Sequence, residues 1–144
     1  MKIRLTAVII ENGEILLLDQ NVDKKRSWSL PGGKLEESET IEQGLKRELF
    51  EETGLKIRLG KLLYVCDHSH NGEFVLHITL RAKCVGGKFG NTIEGLDTNA
   101  IRGMEFVPIK DLQSKGFSAK FQQLAEDDFP GSGSYMGSKS AIGL

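Results

Sequence analysis

The stretch that most limits what this chain can fold into runs from Gly33 to Leu55, GKLEESETIEQGLKRELFEETGL. It reads as a loop feeding a short helix. Thr40 can cap the helix N-terminus, and Gln43, three residues on, completes a capping-box pattern. Ile41, Leu45 and Leu49 recur every fourth residue and form one apolar stripe. Gly54 follows Thr53 as the C-terminal stop. The acids need a reason. Glu48, Glu51 and Glu52 sit at i, i+3 and i+4, so their side chains share one face beside the apolar stripe. Like charges so placed repel by roughly a few tenths of a kcal/mol per pair even in water, and partial burial sharpens the penalty. A divalent cation is the simplest partner that turns this repulsion into binding. Oxygen ligands alone suit Mg2+ or Mn2+ better than Zn2+. A solvated acidic face is the plain alternative.

The rest of the chain supplies a scaffold. At 144 residues it predicts one domain with one substantial core. Lys plus Arg number 19 and Asp plus Glu 20, a formal net charge of −1. That balance gives no electrostatic case for nonspecific nucleic-acid binding. The N-terminal MKIRLTAVIIENGE lacks a small-residue cleavage site and reads as a strand rather than a signal peptide. No apolar run approaches the length of a membrane span. Cys66 and Cys84 are far apart and in no metal-ligand spacing, so they read as reduced thiols of a cytosolic protein.

Ile3 to Ile9 predicts a strand, Asn12-Gly13 a hairpin turn, and Ile15 to Leu18 the returning strand. Asn21 to Arg26 is a polar, basic loop. Trp28 to Leu30 is a short apolar segment before the Pro31-Gly32-Gly33 turn. After the helix, Leu55 to Leu59 and Lys61 to Asp67 predict two strands punctuated by Gly60. His68 to Gly72 reads as a polar turn, and Glu73 to Cys84 as a strand. In that strand Phe74, Leu76, Ile78 and Leu80 alternate with Val75, His77, Thr79 and Arg81, which predicts an apolar face and a wetter, mixed one. Val85 to Asp97 is Gly-rich and reads as a loop. Ile101 to Val107 predicts a last strand, Ile109 to Gln113 a helix or turn, and Ser118 to Ala125 a helix. Pro130, four glycines and four serines make Phe129 to Leu144 an irregular tail by composition, which Tyr135 and Met136 could anchor to the body or to another subunit. The expected division is a domain over 1–128 and a tail over 129–144. Strands on both sides of one helix argue for a mixed sheet in a single α/β or α+β domain.

The spacing in the constraining stretch extends beyond the acids. Gly33, five residues, Glu39, seven residues, Arg47-Glu48-Leu49, one residue, Glu51-Glu52, one residue, then Gly54-Leu55 resembles the Nudix hydrolase signature at every fixed position. The match covers about a sixth of the chain. The resemblance implies an α/β/α sandwich with a mixed central sheet. It also implies a Mg2+-dependent pyrophosphohydrolase, with Mn2+ able to substitute, that cleaves a diphosphate linkage in a nucleotide or nucleotide derivative. By the same resemblance Glu48, Glu51 and Glu52 are metal carboxylates and the Gly33 carbonyl is a main-chain metal ligand. Arg47, four residues before Glu51, either holds that carboxylate in place or is an exposed helix ion pair. Glu51 and Glu105 are the candidate general bases. Glu105 resembles a later family position where an acid precedes an aromatic residue, and a plain surface acid is its alternative.

Several residues keep two readings. Glu39 either reaches the metal or complements the helix N-terminus. Gly44, costly inside a helix, either lets the Gly32-Gly33 loop or a phosphate come close or is simply tolerated. Trp28 either stacks on a nucleobase or belongs to the core. Arg26, with Lys24 and Lys25, either meets substrate phosphates or is solvated. His68 and His70 read as solvated before they read as metal ligands, and Phe74 and Tyr64 as core. The compactness of the chain leans toward nucleoside triphosphates as substrates. ADP-ribose, nucleotide sugars and dinucleoside polyphosphates stay open, as do a non-catalytic nucleotide-binding regulator and a structural module whose acidic helix meets a basic partner. The expected partner is a small nucleotide, with a second copy of the chain as a candidate, and no nucleic acid or membrane.

Overall fold

The computed structural model describes residues 1–20, 27–88 and 103–144, the last with backbone only over 134–139. Its first elements follow the hairpin logic. Strand β1 (Lys2–Val8) leads to the short β2 (Ile10–Glu11), which pairs antiparallel with β3 (Glu14–Asp19). The turn between them places Asn12 and Gly13 at φ 53° and 75°, the left-handed pair that a two-residue hairpin loop requires. Strands β4 (Trp28–Ser29) and β5 (Gly32–Lys34) come next. Helix α1 (Ile41–Thr53) leads into β6 (Leu55–His70) and β7 (Glu73–Gly87). Then follow β8 (Gly103–Pro108), a 3-10 helix (Ile109–Lys115), α2 (Ala119–Glu126), β9 (Ser134–Ser138) and a 3-10 turn (Lys139–Ile142).

The main sheet has the order β5-β1-β7-β6-β9 and is mixed: β1–β7 and β6–β9 are parallel, β1–β5 and β6–β7 antiparallel. A second, antiparallel sheet is built on β3, which pairs with β2, β4 and β8. Alternation along β1 separates two apolar layers. Leu5 and Ala7 pack with Leu45 and Leu49 of α1. Val8 packs on the other side with Tyr64, Cys66, Phe121 of α2, and Phe129. This is the expected single-domain α/β arrangement, with helices on both sides of a mixed sheet.

Some elements depart from the sequence reading, each for a tertiary reason. Gly60 does not break the strand: β6 runs 16 residues through it, with register shifts between Leu59 and Leu62. The long partner β7 supplies ladder hydrogen bonds on both sides of the glycine, so the irregularity is absorbed as a bulge. The polar turn shrinks to Asn71-Gly72, at φ 50° and 77°. His68 and His70 therefore lie in β6, and His68 stacks on His77 at 5.3 Å instead of sitting in a solvated loop. Both faces of β7 are covered. Ile78 and Leu80 of the apolar face pack half-buried against the α1 layer, the mixed face is the more deeply buried through Val75, His77 and Thr79, and Phe74 is 41% exposed. Thr79 and His77 of the mixed face stand across from Tyr64 and Cys66, members of the layer that holds Phe121 and Phe129, and α1, about 20 Å long, leaves the Phe74 end of β7 uncovered. The Gly/Ser-rich end is also not wholly irregular. Gly133 N–H donates to Leu63 O, β9 pairs with β6, and Ile142 is buried in the α2 layer. An open strand edge offers hydrogen bonds to any backbone, whatever its composition. Among the described residues no helix is long and apolar enough to cross a membrane.

Candidate functional site

The acids are placed by two well-terminated helix ends. Gln43 N–H donates to Thr40 Oγ1 (3.1 Å) and Thr40 N–H to Gln43 Oε1 (2.9 Å), so both arms of the capping box form. At the other end Gly54 adopts φ 77° and its N–H donates to Phe50 O. Leu45 and Leu49 fix the rotation of the helix by burying their side chains in the sheet layer. That rotation turns Glu48 and Glu52, four residues apart, toward β5. Glu48 is 7% exposed and Glu52 1%.

Strand β5 meets them with backbone. Gly32 N–H donates to Glu52 Oε1 at 2.8 Å. A Cβ on Gly33 would collide with the Glu48 carboxylate where it now sits, so the glycine lets main chain and acid come this close. Gly32 is equally committed, because a Cβ there would strike the Leu5 carbonyl. The register that holds this strand in place pairs Gly33 with Leu5 and Gly32 with Thr6.

Arg47 is the hub on the outer side. Its Nε donates to Glu39 Oε2 at 2.6 Å and its Nη2 to Glu39 Oε1 at 2.9 Å, a bidentate pair. Nη1 donates to Glu48 Oε1 at 3.0 Å and to Glu51 Oε2 at 3.3 Å, and Nη2 also reaches Lys34 O at 3.2 Å. The guanidinium hydrogen bonds hold the Glu39 carboxyl well below its ordinary 4.5, at about 2, against the opposing effect of burial, with help from Glu36 N–H. Glu36 Oε1 adds a longer contact at 3.9 Å, so four carboxylates, of Glu36, Glu39, Glu48 and Glu51, surround one guanidinium, a formal −3. Glu39 is Arg47's main partner, a role outside both sequence readings. Gly44 also has a different reason from the expected one. A Cβ there would meet Leu35 Cδ1 at 2.7 Å and Leu5 Cδ1 at 3.1 Å, not the glycine turn.

The structure brings Gly33, Arg47, Glu48, Glu51 and Glu52 together. Glu48 and Glu51 are turned onto Arg47 and Glu52 onto Gly32. Accordingly, no three His, Cys, Asp or Glu side chains among the described residues converge at metal-ligating distance. The donor set still fits a hard dication. Its side-chain donors are all carboxylate oxygens, two of the three are buried, and main chain approaches them where a side chain could not. Glu105 belongs to the second sheet. It is on β8 with its side chain 51% exposed, paired with Lys115 Nζ at 3.0 Å. Lys115 Nζ in turn stands 4.2 Å from the centre of the Trp28 ring, and Trp28 is half-buried against the α2 layer. Trp28 and Glu105 therefore share one cation and form a second cluster. Arg26, Lys24 and Lys25 lie outside the described residues. Sequence reasoning missed Lys115 and the Gly32 amide. The amide had a signal, the double glycine, but Lys115 is ten residues from Glu105 and had none.

Comparison with known proteins agrees with this geometry. The family described as the NUDIX domain matches residues 1–127. A MutT-like protein of Streptomyces ambofaciens is 36% identical over 80 residues, covering 56% of this chain and 49% of that protein. An RNA pyrophosphohydrolase of Histophilus somni is 38% identical over 61 residues, covering 42% of this chain and 32% of that one. The chain thus spans half or less of these curated relatives. A solved NUDIX hydrolase from Nitrosomonas europaea superposes with a TM-score of 0.73 at 25% identity, over 91% of this chain and 90% of that one. An ADP-ribose pyrophosphatase from Streptococcus suis gives 0.67 at 21% identity, over 93% and 97%.

Proposed function

The chain belongs to the NUDIX family, and on that premise we propose that it is a Mg2+-dependent hydrolase of a diphosphate linkage in a nucleotide or nucleotide derivative. The observation that carries this reading is the burial of Glu48 and Glu52 against the Gly32-Gly33 main chain. Buried beside Glu51 and against main chain, these carboxylates form an all-oxygen donor set of the kind a hard dication takes.

Glu48, Glu51, Glu52 and the Gly33 carbonyl would hold the metal, with Mn2+ able to substitute. When bound, such a cation neutralises phosphate charge and stabilises the leaving phosphate. Arg47 orients Glu48 and Glu51 so that both keep one conformation as substrate arrives. Water attacks phosphorus, the bridging P–O bond breaks, and the water's proton passes to a carboxylate. Glu51 is the candidate beside the other acids, and Glu105 is the candidate on β8. Trp28 would contact the base, and Arg26 a phosphate. Relatives and neighbours named as a MutT-like protein, an RNA pyrophosphohydrolase and an ADP-ribose pyrophosphatase differ in what carries the linkage. They support the bond cleaved more than the substrate, and the lean toward nucleoside triphosphates rests on compactness alone. Cys66 and Cys84 form no disulfide with each other, which fits a cytosolic setting.

The test is hydrolysis of a panel of nucleoside diphosphate derivatives with Mg2+, by the native chain and by Glu52→Gln. Glutamine keeps an oxygen for the Gly32 amide, so the variant should stay folded. Its turnover should fall by a factor of about 1,000, as loss of several kcal/mol of charge stabilisation implies. Full Mg2+-dependent activity in Glu52→Gln would refute the metal assignment. No turnover of any substrate by the native chain, with nucleotide binding kept, would favour the regulator.

A further inference from the structure

Residues 55–66 and 74–88 hold six basic side chains, Lys56, Arg58, Lys61, Arg81, Lys83 and Lys88, and no Asp or Glu. With 19 basic and 20 acidic residues in the whole chain, the remainder carries a formal −7. The fold places the two stretches side by side on β6 and β7. Pairing of β1 with β7 ends at Arg81, and β9 joins β6 only from Tyr64, so Leu55–Leu59 and Ala82–Gly87 project as a two-stranded ribbon. One face of the ribbon, with Leu55, Ile57 and Ala82, packs in the α1 layer. Alternation puts Lys56, Arg58 and Lys83 on the opposite face. All three are exposed, and Arg58 stands directly across from Lys83. Arg81 continues the row inward, where it meets Asp128 at 2.8 Å. Among the described residues no carboxylate lies within ion-pair distance of Lys56, Arg58, Lys61, Lys83 or Lys88.

Lysines on an open strand edge guard against edge-to-edge pairing. That accounts for charge on the ribbon but not for two like charges set directly opposite each other, which destabilises a strand pair. A polyanionic partner supplies the missing countercharge. We propose that this face is a docking surface for the phosphate backbone of a single-stranded nucleic acid. Cations two residues apart along a strand are about 6.8 Å apart and neighbouring strands about 4.8 Å, a narrow track of the kind that follows a backbone without reading sequence. A lipid surface has the same charge but the wrong shape. Glu126, Asp127 and Asp128 are exposed at the inner end of the row, where Asp128 holds Arg81. A flat anionic membrane would press on those acids, whereas a thin strand can run past them. The surface lies on the sheet face opposite α1, so this inference stands apart from the hydrolase reading.

The test is anisotropy of a fluorescein-labelled oligouridylate titrated with the full chain at several salt concentrations. Three phosphate contacts predict a slope of log K against log[salt] of about −2. Lys56→Gln/Arg58→Gln/Lys83→Gln should abolish binding, and Lys110→Gln, on the separate 3-10 helix, should not. Arg58→Glu should lower affinity about tenfold yet melt at or above the native temperature, because it faces Lys83 with opposite charge. Hydrolysis of nucleotides by the triple variant should be unchanged. The proposal is overturned if the oligonucleotide does not bind, if binding ignores salt or survives the triple variant, or if phosphatidylserine vesicles bind through these residues and the oligonucleotide does not.

Discussion

At the scale of single residues, Gly33 is the tight contact that bears on the acids. A methyl group there would overlap the Glu48 carboxylate, so Gly33→Ala must displace either β5 or Glu48. Overpacking of this kind costs about 1–3 kcal/mol, and the displaced acid should take Mg2+-dependent turnover with it. Gly44→Ala is the contrast. Its Cβ would meet the ends of Leu35 and Leu5, which can rotate away, and the helix gains about 1 kcal/mol of propensity. Urea unfolding of the pair should show Gly33→Ala clearly the less stable. Glu39 makes a pH prediction. Its folded-state pKa lies below the ordinary 4.5, at about 2. The stabilisation is therefore fully present above about pH 4.5 and is lost as pH falls toward about 2. Glu39→Gln should lower thermal stability at neutral pH and flatten the acid limb in that window. An unchanged acid limb would mean the Arg47 pair does not contribute.

At the scale of elements, α1 is a helix whose ends are specified separately from its function. Thr40→Ala removes the acceptor for Gln43 N–H and should cost about 1 kcal/mol. The cap lies at the opposite end of α1 from Glu52, so denaturant midpoints should move while kcat and KM stay near native values. A large loss of activity instead would mean that fraying at Thr40 reaches the acids. Strands β6 and β7 show the reverse relation. Their period is plain in the sequence, but which face of β7 is the more deeply buried depends on what packs against it. Alternation reports two faces and cannot rank them when the cover comes from Tyr64, Phe121 and Phe129, far away along the chain.

At the scale of the whole molecule, the last residues belong to the α2 layer as much as to a tail. Ile142 is buried beside Phe121 and Phe129. Ile142→Ala should cost about 2–4 kcal/mol by cavity formation, measured as a loss in unfolding free energy. A cost near zero would show that the segment does not contribute to the fold's stability. Charge distribution is the other property of this scale. A net charge of −1 argues against a polyanion partner only if charges are mixed, and here five cations fall on one pair of strands, with Lys88 directly after the second.

Local rules determined much of this protein from sequence: the α1 cap and stop, the Asn-Gly hairpin, and the acids on one helix face, because each depends on residues within one or two turns. The spacing from Gly33 to Leu55 carried the family as well. Only the tertiary structure decided that Glu39 belongs to Arg47, that the Gly32 amide serves Glu52, that Lys115 joins Trp28 to Glu105, and that Ile142 lies in the core. Those contacts join groups on separate elements, and a hydrogen bond or a buried side chain has no sequence period when its partner arrives from another strand.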